Sequence, residues 1–469
     1  MALTDLVYLA LLALLSLWGA HRLVLLRRFR WHSQAEAAAT EELWLPLVTV
    51  QLPLYNERTV AALLLRAVGA LDWPLDRLEI QVLDDSDDET RDIVDREVQA
   101  LRKRGVDVEV LRRSDRRGFK AGALAAGLEL ARGELLCVFD ADFRPAPDFL
   151  RRLVPRFEGE RVGMVQARWS HLNRDENLFT RAQSTLLDGH FVIEHTARFT
   201  SDLFFNFNGT AGIWRRAAIE SAGGWQHDTL TEDLDLSYRS QLSGWRFHYA
   251  SEVEAPAEIP PDIAAFQSQQ GRWARGSVQV LRKLGGPIVA SREPSRVKLE
   301  ALAHLTGNIA YPGVVAIALL LPVVAGSRTH GAHWLHLVAF VLCTCSVFLF
   351  YERSQRALGR PFAKRVIDTV AAVVLGIGMS LSQTRAVLLG MLPRVGTFVR
   401  TPKRGDGGQP GYRELLGSIP GLELLFAVWI GWGAISAMRL GNWGSLPFLA
   451  LFAAGFVWVG ALSLRSRFA

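Results

Sequence analysis

The chain is 469 residues long, room for two or three ordinary domains, and the 49% of it that is hydrophobic comes in blocks, which excludes a wholly soluble protein. Its net charge of +6 comes largely from arginines flanking those blocks and argues against a nucleic-acid partner. The three cysteines, Cys137, Cys343 and Cys345, lack metal-ligand spacing and read as free packing residues.

The first apolar block, residues 3 to 26, matches the ~20 residues that cross a bilayer. Arg22, Arg27, Arg28 and Arg30 mark its C-terminal side, so the positive-inside rule predicts an outside N-terminus and a cytoplasmic domain after it. A signal peptide would carry its basic residues before the block and a small-residue cleavage site after it, and neither is present.

A long polar region follows, with strand-like runs at 47–53, 78–85, 106–111, 134–142 and 162–168. Helical stretches at 57–70, 120–133 and 147–157 separate several of them. This alternation predicts an α/β fold around a mostly parallel sheet, in which ligands bind at the carboxyl ends of strands. Three polar clusters fall at such ends: YNE after the first strand, DDSDDET after the second and DAD after the fourth.

Strand alternation would aim Asp140 and Asp142 the same way, as hard oxygen ligands for Mg2+ or Mn2+. A lone D-x-D is more often a solvated turn, so the weight rests on the convergence of the three clusters. Asn56 and Glu57 are either nucleotide contacts or a helix N-cap and first-turn acid, and Asp84 to Asp88 either a nucleotide site or a turn. Lys120 behind Gly118 opens a helix, which suits a diphosphate.

Thr231 reads as an N-cap, followed by Glu232, Asp233 and Asp235 in the first turn, where acids complement the helix dipole and one can serve as a general base. Gln269, Gln270, Arg272 and Trp273 stand beside the membrane entry, the Trp as an interfacial anchor or a platform for a sugar ring.

Further apolar blocks lie at 301–327, 333–351, 366–382, 419–437 and 445–463. The loops 352–365 and 391–417 are both basic and both ask for the cytoplasm, which a single crossing between them forbids. Residues 366–390 are therefore read as an interfacial or re-entrant segment with Arg385 at headgroup level, giving five spans; six spans would break the charge rule at one loop.

The stretches QLPLYNE, QVLDDSDDET, GFKAGAL, FDADFRPAPDF, VQARW, FNFNGTAGIWRR, GGW, TLTEDLDL and QQGRW stand in the order and spacing of a known family. The chain resembles the family-two inverting glycosyltransferases of the cellulose synthase superfamily, most of all the cellulose synthase-like A group that makes mannan and glucomannan, and its bacterial relatives. The resemblance is close over residues 45–290 and looser beyond.

It implies a GT-A (Rossmann-like) cytoplasmic domain, residues 31–298, between a helix at 1–30 and a membrane region at 299–469. Asp85 would contact the nucleotide base, and Lys120 the diphosphate. Asp140 and Asp142 would hold Mg2+ or Mn2+, and Asp233 would be the base. Asn56, Glu57, Glu232 and Gln270 fall among the implied substrate contacts. Gln269, Arg272 and Trp273 would hold the glycan's end and the departing diphosphate, with Asn208 and Gly209 beneath the acceptor. FVRTPK at 398–403 resembles a gating loop with Arg400 in a valine's place.

The implied activity is processive transfer of hexose from GDP-mannose or UDP-glucose to a β-linked polysaccharide, with inversion and translocation across the bilayer. The alternatives are a lipid glucosyltransferase, separated by product length, and a non-catalytic channel or assembly subunit, separated by nucleotide-sugar turnover.

Overall fold

The computed structural model describes residues 3–30, 44–327, 333–393 and 421–468. A 26-residue apolar helix α1 (Leu3–Arg28) precedes the α/β domain. That domain starts with β1 (Val48–Leu54), α2 (Ala61–Val68), β2 (Leu78–Asp84), α3 (Thr90–Lys103), β3 (Asp107–Leu111) and α4 (Phe119–Leu130). It continues with β4 (Leu135–Val138), α5 (Phe149–Leu153), β5 (Val162–His171), α6 (Leu178–Asp188) and α7 (His195–Phe199), with a π-helical turn Gly189–Glu194 joining the last two. Then come β6 (Gly212–Arg215), α8 (Arg216–Ser221), α9 (Glu232–Leu242) and β7 (Arg246–Ala257).

The seven strands form one sheet in the order β3-β2-β1-β4-β6-β5-β7. Four of the six neighbouring pairs are parallel; β6 runs antiparallel to both β4 and β5. β1 and β2 are buried almost throughout although their sequences alternate apolar and polar residues: the polar members satisfy one another, Thr49 with Glu79 and Gln51 with Gln81.

All five expected strands are present, with two corrections. The run expected to reach residue 142 ends at Val138: the chain turns there, Phe143 N donating to Asp140 O at 3.1 Å. Asp140 and Asp142 therefore lie on a turn, and strand alternation is not what aims them. The helix expected from residue 57 starts at Ala61 instead, because Asn56 adopts a left-handed φ of +54°. β6 and β7 were not anticipated.

Beyond the sheet run α10 (Ile263–Ala290), α11 (Ser295–Thr306), α12 (Ala310–Ala325), α13 (His333–Ala357), α14 (Phe362–Gly378) and α15 (Ser380–Gly390), then the helices Leu422–Arg439 and Leu446–Phe468. Among the described residues four helical stretches are long and apolar enough to cross a membrane: Leu3–Arg28, Ser295–Ala325, Leu422–Arg439 and Trp443–Ser466. The pair α14 and α15, bent by 52°, would make a fifth if it is one span. α13 packs along α1.

Both arms of the bent pair touch the α/β domain side. In α14 the fully buried Asp368 accepts from Arg174 Nη2 at 2.6 Å and also from Arg181, on α6. At the end of α15, Gly390 O accepts from Arg282 of α10 at 3.3 Å. Asp368→Ala would strand two arginines, one of them buried, and is expected to cost about 3 to 5 kcal/mol, read as a lowered unfolding midpoint in detergent.

Candidate active site

The turns after β1, β2 and β4 open into one cleft, closed on its far side by the start of α9 and by α10. Twelve of the fourteen residues singled out from the sequence line it; Asn56 and Gln270 do not.

At one end, Asn56 joins the ends of β1 and β2 instead of capping a helix. Its Nδ2 donates to Asp87 Oδ1 at 2.8 Å, and its Oδ1 accepts from Asp87 N at 3.0 Å. Glu57 beside it is buried on the cleft wall. Asp85 also faces the cleft, but Arg113 grips it through both carboxylate oxygens, with Nε at 3.0 Å from Oδ1. The Arg116 guanidinium stacks 3.1 Å from the centroid of the Tyr55 ring, and both line this end. Neither arginine was singled out from the sequence.

The centre is a compact charge cluster. The chain enters α4 through two left-handed residues, Gly118 (φ +75°) and Phe119 (φ +49°), a strained entry of the kind that gathers at functional sites. That entry delivers Lys120, whose Nζ donates to Asp140 Oδ1 at 2.5 Å and to Gly209 O at 2.8 Å. Burial alone would push the Lys120 ammonium down, but Asp140, Glu232 and Asp233 outweigh it and hold the group above the usual lysine range. Asp140 N is anchored on Thr210 Oγ1 at 2.8 Å, and Asp142 lines the cleft one turn on.

Asp233 sits across from Lys120, its Oδ1 accepting from Leu234 N at 2.8 Å. Burial, then the adjacent Glu232 charge, push its carboxyl from 3.8 up to about 7, against the pull of Lys120 and Arg272. Thr231 does precede α9 as expected but makes no side-chain cap. Gly276 of α10 packs directly onto it, where a Cβ would come within 2.4 Å.

Gly209 fills the gap between acid and ammonium: a Cβ there would lie 3.0 Å from Asp233 Oδ2 and 3.4 Å from Lys120 Nζ, at a φ of +80°. Gly209→Ala is expected to cost about 1 to 2 kcal/mol in backbone strain and to displace the Asp233 carboxylate. Turnover should drop far more than the unfolding midpoint, which paired activity and melting measurements would read.

At the other end, Gln269, Arg272 and Trp273 share one face of α10 at helical spacing, while Gln270 falls outside the lining, as its position on the helix requires. Trp273 meets Trp169 edge-on at 6.3 Å, and Trp169 in turn packs on Phe143 and Phe191. His171, with Nε2 3.3 Å from Asp188, completes this wall. Trp169 belongs to the quoted VQARW run but was given no role there, and His171 was missed. Among the described residues no group of three or more His, Cys, Asp or Glu side chains gathers as a metal cage.

A family model described as glycosyltransferase-like family 2 matches residues 46–276. The chain is 37% identical over 380 residues to glucomannan 4-beta-mannosyltransferase 2 of Arabidopsis thaliana, covering 77% of this chain and 68% of that protein. It is 36% identical over 382 residues to probable glucomannan 4-beta-mannosyltransferase 11 of Oryza sativa subsp. japonica, covering 78% of this chain but only 64% of the rice protein. Among solved structures, mannosyltransferase PcManGT from Pyrobaculum calidifontis, in complex with GDP-Man and Mn2+, superposes with a TM-score of 0.59 at 22% identity, over 82% of this chain and 100% of that one. At that identity the likeness speaks for the shared GT-A fold.

Proposed function

The chain belongs to glycosyltransferase family 2, in its cellulose synthase-like A group, and from that premise we propose that it elongates a β-linked mannan or glucomannan from GDP-mannose. UDP-glucose is the second candidate donor. The reading is supported by the activities in the names of its relatives and, above all, by Asp233 standing with Lys120 and Asp140 around Gly209 in one cleft.

In this reading the nucleotide lies at the Asp85 and Arg116 end and the glycan at the Trp273 end. The Asp233 carboxylate takes the proton of the acceptor hydroxyl, whose oxygen forms a bond to the anomeric carbon from the face opposite the diphosphate. The bond from that carbon to the diphosphate oxygen breaks in the same displacement, inverting the centre, and the electron pair leaves with the nucleoside diphosphate. Lys120 and Arg272 neutralise the leaving charge, an electrostatic role of the kind that usually dominates such catalysis. Asp140 and Asp142 fit a divalent ion: they offer two hard oxygens at the cleft, and the absence of a third acidic ligand among the described residues leaves room for diphosphate and water. Mg2+ or Mn2+ held there would supply further neutralisation of the diphosphate.

We further propose that residues 31–298 form the cytoplasmic catalytic unit between the helix at 1–30 and the membrane region at 299–469, and that the polymer leaves through the latter. The loop 391–417, with the FVRTPK run, lies outside the described residues but for its first three.

The test is product analysis. Full-length protein in liposomes receives labelled GDP-mannose, UDP-glucose or UDP-N-acetylglucosamine with Mg2+ or Mn2+. β-Mannosidase-sensitive polymer from GDP-mannose supports the reading. Label found only in lipid, or no turnover of any donor, overturns it.

A further inference from the structure

Behind the acceptor end of the cleft, α6 passes into the π-helical turn Gly189–Glu194. Single π turns inside α-helices are frequent at functional sites. This one is held against α13 by Gly189, where a Cβ would come within 2.7 Å of Tyr351 and 2.8 Å of Phe350. The next residue, His190, faces the other way, toward the loop that carries Asn208.

The His190 ring bridges two acceptors. Its Nδ1 lies 3.0 Å from Glu194 Oε2, and its Nε2 lies 3.1 Å from Asn208 Oδ1. An amide oxygen only accepts, so His190 Nε2 is the donor toward Asn208 Oδ1. Burial opposes the charge of Glu194, yet Arg198 and His190 keep its carboxyl well below the usual range. Arg198 Nη1 donates to the same Glu194 oxygen at 3.1 Å.

The rest of the Asn208 amide is also spoken for. Its Oδ1 accepts a second bond from Asn206 Nδ2 at 3.1 Å, and its Nδ2 lies 2.8 Å from His195 Nε2. Burial together with the nearby positive charges holds the His195 pKa well below the usual value, and its Nε2 stands between the Asn208 amide nitrogen and Asn206 O, the latter at 3.1 Å. Asn208 N donates to Gln166 Oε1 at 3.1 Å, fixing the backbone as well. The amide oxygen is thus occupied twice over, and one of the two amide hydrogens remains for the cleft that Asn208 lines.

We propose that His190, braced by Glu194, is a positioning residue for the acceptor: it locks the Asn208 amide so that an N–H, and not the oxygen, meets a hydroxyl oxygen of the glycan's terminal sugar. The inference rests on the proposed function, since it takes the Asn208 end of the cleft as the acceptor end. Without His190 the amide can turn and offer its oxygen, and acceptor binding weakens while the donor end, on β1 and β2, is untouched.

The experiment uses full-length protein in liposomes, GDP-mannose as donor, and β-1,4-linked mannooligosaccharide as acceptor. Two reactions are followed in parallel: transfer to the oligosaccharide and hydrolysis of the donor by water. His190→Leu should raise the acceptor KM roughly tenfold to a hundredfold, leaving donor KM and donor hydrolysis unchanged. His190→Gln, whose side-chain amide can still donate to Asn208 Oδ1, should recover part of the loss. Parallel loss of hydrolysis and transfer in both variants would show a structural role and overturn the inference, as would an unchanged acceptor KM in His190→Leu. Wild-type protein that uses no oligosaccharide acceptor overturns the proposed function and the inference together.

Discussion

Asp233→Asn is expected to lower kcat by about 10³-fold, within the 10² to 10⁴ range typical of a lost general base, with little change in donor KM. The amide is isosteric and can still accept from Leu234 N, as Asp233 Oδ1 does at 2.8 Å, so the loop keeps its shape while the proton acceptor is gone. The pH profile gives an independent reading. As the proposed base, Asp233 would work ionised, and its carboxyl is pushed up to about 7, so kcat/KM of the wild type should fall about tenfold per unit below pH 7 and level off above it. Stability runs the opposite way. A carboxyl whose pKa rises on folding favours the fold when protonated, so its contribution is whole below its ordinary 3.8 and fades as pH rises through about 7. Asn removes that loss, and the variant should therefore melt no lower than wild type at pH 8. A variant that is both inactive and less stable there would move Asp233 from chemistry to architecture.

Asp140→Asn is expected to cost at least about 100-fold in turnover, comparable to removing one preorganised charge from a transition state. Two effects coincide. The variant loses a hard oxygen for the divalent ion, and it deprives the buried Lys120 ammonium of the partner its Nζ touches at 2.5 Å. The two are separable by titration: metal loss shifts the Mg2+ or Mn2+ activation curve to higher concentration, whereas Lys120 misplacement lowers the plateau. Lys120→Met combined with Asp140→Asn should lose less than the product of the single losses, because the pair acts as a unit. Chelation should silence the wild type and added Mn2+ or Mg2+ should restore it. An unaltered metal response in Asp140→Asn would leave the turn a merely structural one.

How much of this was legible in the sequence follows from what each residue depends on. Five of the seven strands were readable, as was the placement of polar clusters at the ends of three of them. β6, four residues long, was too short to show a period, and β7 mixes charged residues into its alternation. The Asp140 and Asp142 pair was found for a reason the turn after Val138 does not support: the cleft shape, and not strand parity, aims it. Gln270 was over-read because a motif written as a string hides which face of α10 each letter takes. Arg113, Trp169, His171 and His190 escaped because their partners are far off in the chain or unremarkable in type: Arg113 meets Asp85 across 28 positions and His190 meets Asn208 across 18.

The trio of Arg174, Arg181 and Asp368 bears on how the chain is made. Asp368 follows Arg174 by 194 positions, so at 5 to 20 residues per second the two arginines emerge roughly 10 to 40 s before their carboxylate exists. Until then Arg181 of α6 lacks that carboxylate, and Arg174 has only its neighbour Asp175 to pair with. A fragment cut before α14 would lack Asp368 altogether, so the isolated soluble domain is expected to melt lower than the same domain in the full chain.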